Sequence, residues 1–283
     1  KYLQEAVSSV IKQTYKNWEI VLWDNQSTDQ SAKIFKSFNH PKLNYHYAPS
    51  HTSLYQARNL ATKYCNGKFI AFLDSDDWWV PEKLEKQMKL FEDKEVGLVY
   101  SNYHIYNEEN KKSKISTTKL LPTGFTTNSL LENYNLGIIT VVIKKELFDK
   151  FNYNFDGRYN IIGDFDLIIK LSKISKFACV QSGLAYWRSH KNNSSYINYE
   201  LEIQELEYWL KNQKTFDNLQ NTQNNESIKL KIIYMKTINC ILNGDKKAAF
   251  KNIILFPWNL KKIRLIMAFL VPKKILRKIK KIK

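Results

Sequence analysis

The sequence predicts an α/β fold with a mostly parallel central sheet followed by a helical extension, and three observations carry that prediction. Over the first hundred of 283 residues, helix-patterned and strand-patterned segments alternate, which is how a chain returns repeatedly to one sheet. Three short apolar runs in that stretch each end at a polar loop, as buried strands do. From Tyr199 onward the pattern is helical only.

Leu3, Ala6, Val7, Val10 and Ile11 fall at i, i+3, i+4, i+7 and i+8, one face of a helix already under way where the sequence opens. Residues 19–23 are a compact apolar run ending at Asp24 and read as a strand. Ser27-Thr28-Asp29-Gln30 then has the S-x-x-Q form of a capping box, which predicts a helix start. A strand over 43–47, a helix over 54–64 and a buried strand over 69–73 follow, the last after the turn at Asn66-Gly67. Pro81 suits the first turn of a helix over 82–91, and 97–103 reads as another strand. The polar, Lys-rich stretch 107–118 is expected to be an exposed loop. Residues 138–143 are strongly β-branched, and 165–174 have helical periodicity. Helices are expected over 201–210 and 228–242, joined by an Asn/Gln-rich link at 218–225, with a third after Asn243-Gly244-Asp245. A boundary near 198 therefore divides the chain into an α/β domain over 1–198, a helical extension over 199–257 and a basic tail over 258–283.

A hydrophobic content of 43% with 14% aromatics excludes disorder, and the low glycine count of 8 excludes a collagen-like chain. The net charge of +17 is unevenly placed. Ten Lys or Arg and no acid fall within residues 261–283, which leaves 34 basic against 27 acidic side chains, a net +7, on the other 260 residues. With no basic stripe through the body and no aromatic reading motif, a nucleic-acid partner is not expected. Cys65, Cys179 and Cys240 are widely spaced and contain no C-x-x-C pair, which argues against a disulfide or zinc framework and fits a reducing, cytoplasmic setting. No segment reaches the roughly 20 apolar residues of a spanning helix, the longest strong run being 265–271, and the opening residues do not read as a signal peptide.

The strongest chemical signal is Phe69-Ile70-Ala71-Phe72-Leu73-Asp74-Ser75-Asp76-Asp77, an apolar strand that discharges three carboxylates within four residues. Open α/β sheets place ligands at this end of their strands. Uncompensated, such charges repel and raise one another's pKa. A divalent cation removes the penalty, and hard oxygen ligands suit Mg²⁺ or Mn²⁺. A helix-capping cluster before Trp78-Trp79-Val80-Pro81 is the alternative reading.

Asp74-Ser75-Asp76-Asp77-Trp78-Trp79-Val80-Pro81-Glu82-Lys83-Leu84 resembles the D-x-D segment of the bacterial family 2 glycosyltransferases, inverting enzymes of GT-A fold. Gln13-Thr14-Tyr15-Lys16-Asn17-Trp18-Glu19-Ile20 and Asp24-Asn25-Gln26-Ser27-Thr28-Asp29 are similar to two earlier signatures of that family, with Ala57-Arg58-Asn59 and Gly67-Lys68-Phe69-Ile70 between. The resemblance implies that Asp24 hydrogen-bonds the nucleotide base and that Arg58 lies near the nucleotide. It also implies that Asp74 faces the ribose or metal side of the nucleotide sugar, and that Asp76 ligates a metal bridging the diphosphate. Ile162-Gly163-Asp164-Phe165-Asp166-Leu167 resembles the family's E-D-y-D-l segment, which makes Asp164 the base that takes a proton from the acceptor hydroxyl. Tyr186-Trp187-Arg188-Ser189-His190 with Ser194 and Ser195 resembles its y-R-x-H...S segment, so that Arg188 contacts phosphate and His190 ligates the metal or meets the diphosphate.

The implied activity is metal-dependent transfer of a sugar from a nucleotide donor, UDP-linked by expectation, to a glycan or lipid-linked acceptor in surface polysaccharide assembly. Three departures accompany it. The chain opens after the strand with which family members normally begin, His51-Thr52-Ser53 replaces an N-x-G, and Gly163 replaces the usual acid before the base. A catalytically impaired sugar-nucleotide-binding or scaffold protein, or a nucleotidyltransferase of related fold, remains an alternative at this stage. In the tail, Leu260, Ile263, Met267, Leu270 and Val271 approximate one helical face, and Ile275, Leu276, Ile279 and Ile282 continue an apolar stripe among cations. That pattern suits an interfacial helix on an anionic membrane surface, which places the protein at the inner face of the cytoplasmic membrane.

Overall fold

The computed structural model describes residues 2–151, 154–191, 193, 198–212 and 222–271. The chain divides into two compact units, Lys1–Asn193 and Ser194–Lys283. In the first, α1 (Leu3–Ile11) leads to β1 (Ile20–Asp24), α2 (Ser31–Ser37), β2 (Leu43–Tyr47), α3 (Leu54–Thr62), β3 (Phe69–Ala71), β4 (Trp78–Trp79), α4 (Lys83–Met88), β5 (Val96–Asn107) and β6 (Lys112–Ile115). Then come α5 (Thr127–Glu132), β7 (Val142–Lys144), α6 (Glu146–Phe151), α7 (Gly163–Ile174) and β8 (Lys176–Ser189). The second unit contributes α8 (Tyr199–Asn212), α9 (Thr222–Asn243), α10 (Lys246–Leu255) and α11 (Leu260–Leu270). The architecture is α/β with a helical C-terminal region.

β1 and β2 pair in parallel. The other strands form a sheet of order β3-β7-β5-β8-β4, with β6 paired to β5. The two longest ladders, β1 with β2 and β5 with β8, are parallel, as the helix-strand alternation anticipates. The shorter pairings of β3 and β5 with β7, β4 with β8 and β6 with β5 are antiparallel. For β6 the cause is local: a tight turn at Lys111, with φ 58°, folds the expected exposed loop back as a hairpin on β5, and a hairpin pairs antiparallel.

The core sits where the apolar patterns meet. Leu3, Val7 and Phe35 form one buried cluster with Ile20, Leu22, Leu43 and Tyr45 against it, so that α1 and α2 cover one face of β1 and β2. Leu98, Val99 and Tyr100 of β5, Val142 and Ile143 of β7 and Leu167, Ile168, Ile169 and Leu171 of α7 are also fully enclosed. Gln13, wholly buried, ties the end of α1 to the segment after β4: its amide donates to the carbonyls of Ser9 and Val80 and accepts from the Leu84 N–H. Glu19 accepts from the Asn66 and Gly67 N–H groups, which fixes the turn before β3 against the start of β1.

Several local expectations are corrected. The capping box belongs to α3, where Ser53 and Gln56 satisfy each other's backbone. At Ser27 the cap is pre-empted, because the Asp24 carboxylate takes the Ser27 N–H and the helix starts four residues later. The helix expected over 82–91 is α4 followed by a 3-10 turn at Lys89–Glu92, and the buried strand expected over 69–73 is regular only to Ala71. The β-branched run 138–143 splits into a 3-10 turn at Ile138–Thr140 and β7. Part of the Asn/Gln-rich link, 218–221, lies outside the described residues, and Thr222 already begins α9.

Candidate active site

β3 ends at Ala71, and the chain then runs through Asp74, Asp76 and Asp77 into β4. The structure separates these three carboxylates by giving each a different partner. Asp74 Oδ1 accepts from Arg58 Nη2 at 2.5 Å. Asp76 Oδ2 lies 2.8 Å from His190 Nε2. Asp77 turns inward to 1% exposure, where its Oδ1 accepts the Arg188 N–H at 2.7 Å. Burial, then the charge of Asp74, pushes the Asp77 carboxyl up to about 9 against that hydrogen bond, so it is neutral at physiological pH. The repulsion anticipated from the sequence is met partly by separate partners and partly by Asp77 keeping its proton, which leaves Asp76 as the carboxylate beside an imidazole.

Arg58 projects from α3, with the rings of Tyr55, Phe72 and Phe155 each within 6 Å of its guanidinium carbon. Burial works against its charge, but Asp74 and then Asp164 outweigh it and hold the guanidinium above its usual range. Asp164 is the second residue of α7, so the helix N-terminus favours its anionic form. Its Oδ1 accepts the Phe165 N–H at 2.8 Å and lies 3.4 Å from the Tyr55 hydroxyl. Burial nonetheless raises this carboxyl above the ordinary range, with Arg58 opposing the rise. Arg58 therefore couples electrostatically to the carboxylate on the β3 side and to the one on α7.

Asp24, at the end of β1, is 4% exposed. Burial opposes its charge, but hydrogen bonds from the Tyr45 hydroxyl and the Ser27 N–H, both 2.7 Å, hold it below the usual carboxylate range. Beside it Asn25 pairs with the backbone N–H and C=O of Thr52, so the departure at His51-Thr52-Ser53 is accommodated by a clamp from the β1 loop.

Arg188 is held by partners within the protein. Its side chain is 5% exposed: Nε donates to the Asp76 carbonyl, Nη1 to Glu108 at 2.7 Å and Nη2 to Glu5. The guanidinium lies over the Tyr2 and Trp78 rings, 4.4 and 4.5 Å from their centroids. Tyr2 also stacks on His190, so Arg188 supports the Asp76–His190 pair from beneath. Ser194 and Ser195 lie outside the described residues.

Sequence reasoning passed over Tyr55, Asn59 and Tyr134. Asn59 pairs with both backbone groups of Phe155, and its place in Ala57-Arg58-Asn59 was the available signal. The Tyr134 hydroxyl is buried with no hydrogen-bond partner among the described residues, and its ionisation is disfavoured by burial and then by Asp164.

The donor set fits a divalent cation as a half-site. Asp76 and His190, 2.8 Å apart, offer a carboxylate oxygen and an imidazole nitrogen that would both serve a divalent cation. Among the described residues no group of three or more His, Cys, Asp or Glu gathers to hold a metal.

Comparison with known proteins agrees with the fold. The profile of the family described as Glycosyl transferase family 2 matches residues 1–151. Over 196 residues the chain is 32% identical to the Escherichia coli UDP-Glc:alpha-D-GlcNAc-diphosphoundecaprenol beta-1,3-glucosyltransferase WfgD, covering 68% of this chain and 73% of that one. Staphylococcus aureus TarS 1-349 in complex with UDP superposes with a TM-score of 0.61 at 16% identity, over 98% of this chain and 88% of that one. The Pyrobaculum calidifontis mannosyltransferase PcManGT, in complex with GDP-Man and Mn²⁺, gives 0.59 at 14% identity, over 99% and 80%. The fold is that of the GT-A glycosyltransferases. The chain belongs to glycosyltransferase family 2.

The raised Asp164 carboxyl has a consequence for stability. Between the ordinary value of 3.8 and its higher folded value, the native protein keeps a proton that the unfolded chain has released. The stability tied to this group is therefore intact at low pH and is lost as pH rises through that interval. Asp164→Asn removes the penalty, so the variant is expected to melt above wild type at pH 7, with the difference closing toward acid pH. A variant that melts at or below the wild-type temperature at pH 7 contradicts this.

Proposed function

We propose that this glycosyltransferase is an inverting, metal-dependent enzyme that moves a sugar from a UDP-linked donor to a glycan or lipid-linked acceptor in bacterial surface polysaccharide assembly. The observation that carries the reading is the coupling, through Arg58, of Asp74, with Asp76 and His190 beyond it, to a second carboxylate, Asp164, at the head of α7. A single displacement needs these two parts: a site for the charge of the leaving nucleotide and a base for the incoming hydroxyl.

In this mechanism Asp24 and Asn25 bound the nucleotide base, Asp74 faces the ribose, and Arg58 keeps Asp74 fixed. Tyr45 and Ser27 hold the Asp24 carboxylate ionised and oriented, as an acceptor for a base N–H. Asp76 and His190 would hold Mg²⁺ or Mn²⁺, which when bound neutralises charge on the diphosphate. Asp164 accepts the acceptor's hydroxyl proton as that oxygen attacks the anomeric carbon. The bond from that carbon to the diphosphate oxygen breaks with its electron pair on the opposite side, so configuration inverts. The raised pKa of Asp164 makes it a stronger base than an exposed aspartate. The relative from Escherichia coli is named for a UDP-Glc donor and a diphosphoundecaprenol-linked acceptor, which supports a UDP donor and a lipid-linked acceptor here.

Two variants separate the roles. Asp164→Asn is expected to lower turnover of UDP-glucose by roughly 10²- to 10⁴-fold with UDP affinity nearly unchanged. Asp76→Ala is expected to abolish the Mn²⁺ dependence of UDP binding in calorimetry. Full turnover in the first, or unchanged Mn²⁺ dependence in the second, refutes the assignment concerned.

The second unit supports a membrane contact. α11 turns Leu265 into a cluster with Ile253 and Phe256, while Leu260, Met267 and Leu270 stand out at 75%, 53% and 74% exposure, in company with Ile254, Leu255 and Trp258. Lys247, Lys251, Lys261 and Arg264 are exposed on the same two helices. No helix among the described residues is long and apolar enough to cross a membrane, and this mixture of apolar and cationic side chains suits an anionic lipid surface at the inner face of the cytoplasmic membrane. The rest of the stripe, beyond Pro272, lies outside the described residues. Deleting residues 258–283 is expected to abolish co-sedimentation with phosphatidylglycerol vesicles at moderate salt. Equal co-sedimentation of deleted and intact protein refutes the contact.

A further inference from the structure

Gly163, which stands where an acid is expected, is matched by Tyr55. A Cβ placed on Gly163 would lie 2.6 Å from Cδ2 and Cε2 of the Tyr55 ring and 2.7 Å from its Cγ, far inside van der Waals contact. The ring is 3% exposed, stacked on Phe155 at 5.4 Å between centroids, so it has little room to withdraw. Its single hydroxyl proton is shared, chiefly with the Ile161 carbonyl at 2.7 Å and more weakly with Asp164 Oδ1 at 3.4 Å. One side chain from α3 thus fills the space above position 163, ties down the backbone before α7 and touches the carboxylate that follows.

We propose that Tyr55 is the positioning residue for Asp164, taking the place of a side chain at 163 and fixing one carboxylate oxygen so that the other meets the acceptor hydroxyl. The inference rests on Asp164 being the base. Oδ1 is held by the Phe165 N–H and faces the Tyr55 hydroxyl, and Oδ2 has no hydrogen-bond partner among the described residues. Oδ2 is therefore the proton-accepting oxygen. The arrangement also explains the loss of the acid. Tyr55 supplies bulk and a neutral donor beside Asp164, where a second carboxylate would raise the pKa of Asp164 further. The titratable groups that face Asp164 are Tyr55 and Arg58 from α3, Asp74 from the segment after β3, Tyr103 from β5 and Tyr134 from the segment before β7. Among them Tyr55 is the one within hydrogen-bond reach of the carboxylate.

Tyr55→Phe keeps the ring and removes the hydroxyl, so it tests the contact without opening a cavity. The carboxyl of Asp164, identified in ¹³C spectra by its absence from Asp164→Asn, is expected to titrate at higher pH in Tyr55→Phe, since the shared donor that favours the charged form is lost. Loss of the bond to the Ile161 carbonyl is expected to lower the melting temperature by a few degrees without unfolding the protein. An unchanged titration midpoint overturns the proposal. A companion pair tests the fit. Gly163→Ala is expected to lower the melting temperature in the wild-type background and to cost nothing further in Tyr55→Ala. An equal cost in both backgrounds shows that the ring does not fill that space and overturns the proposal. Turnover of UDP-glucose by Asp164→Asn is read separately: if it persists, the base assignment falls whatever the titration shows.

Discussion

The site depends on the placement of one guanidinium. Arg58 carries its charge into a pocket of aromatic rings, where an unpaired ion is costly, and Asp74 satisfies it at 2.5 Å. The same charge opposes the burial of Asp164. α3 builds this arrangement from consecutive turns: Tyr55 reaches Ile161, Arg58 reaches Asp74, and Asn59 grips Phe155. A nine-residue helix from the first half of the chain thus sets the position of the segment that leads into α7. The Asp74 and Asp164 sides of the site are held in one frame because α3 touches both.

Elsewhere the chain handles its acidic residues by the same logic of separate partners. Asp77 is buried and neutral, Asp24 is held ionised by two short hydrogen bonds, and Asp76 faces an imidazole. Arg188 is enclosed below that last pair, where Glu108, held at about 2 by Lys111 and Arg188, and Glu5 balance its charge. Two arginines that the motifs assign to the nucleotide are thus embedded in the protein, each held by carboxylates and aromatic rings.

Much of this was legible in the sequence, and the limits have physical causes. The alternation through α1, β1, α2, β2, α3 and β3 is local, so periodicity finds it. β8, by contrast, is a 14-residue strand whose pairing with β5 shifts register near Gly183, and such an irregularity breaks the pattern that would reveal it. Ser27-Thr28-Asp29-Gln30 has the right spacing for a cap, but Asp24 reaches the Ser27 N–H first, a competition that spacing cannot express. The carboxylates at the end of β3 were visible as a cluster, whereas their separation onto Arg58, His190 and the Arg188 backbone involves residues up to 114 positions away. Gly163 stood out as a departure, and the complementary Tyr55, 108 positions earlier, becomes visible only when α3 and α7 meet.

The pH dependence of UDP-glucose turnover in Arg58→Met tests the central claim most directly, because methionine occupies similar space without the charge. With Arg58 gone, Asp164 loses the cation that opposes its burial, so the acidic limb of the profile is expected to move to higher pH, with the fold retained by circular dichroism and with Arg58→Lys falling between the two. A folded Arg58→Met enzyme with the wild-type pH profile would contradict the account.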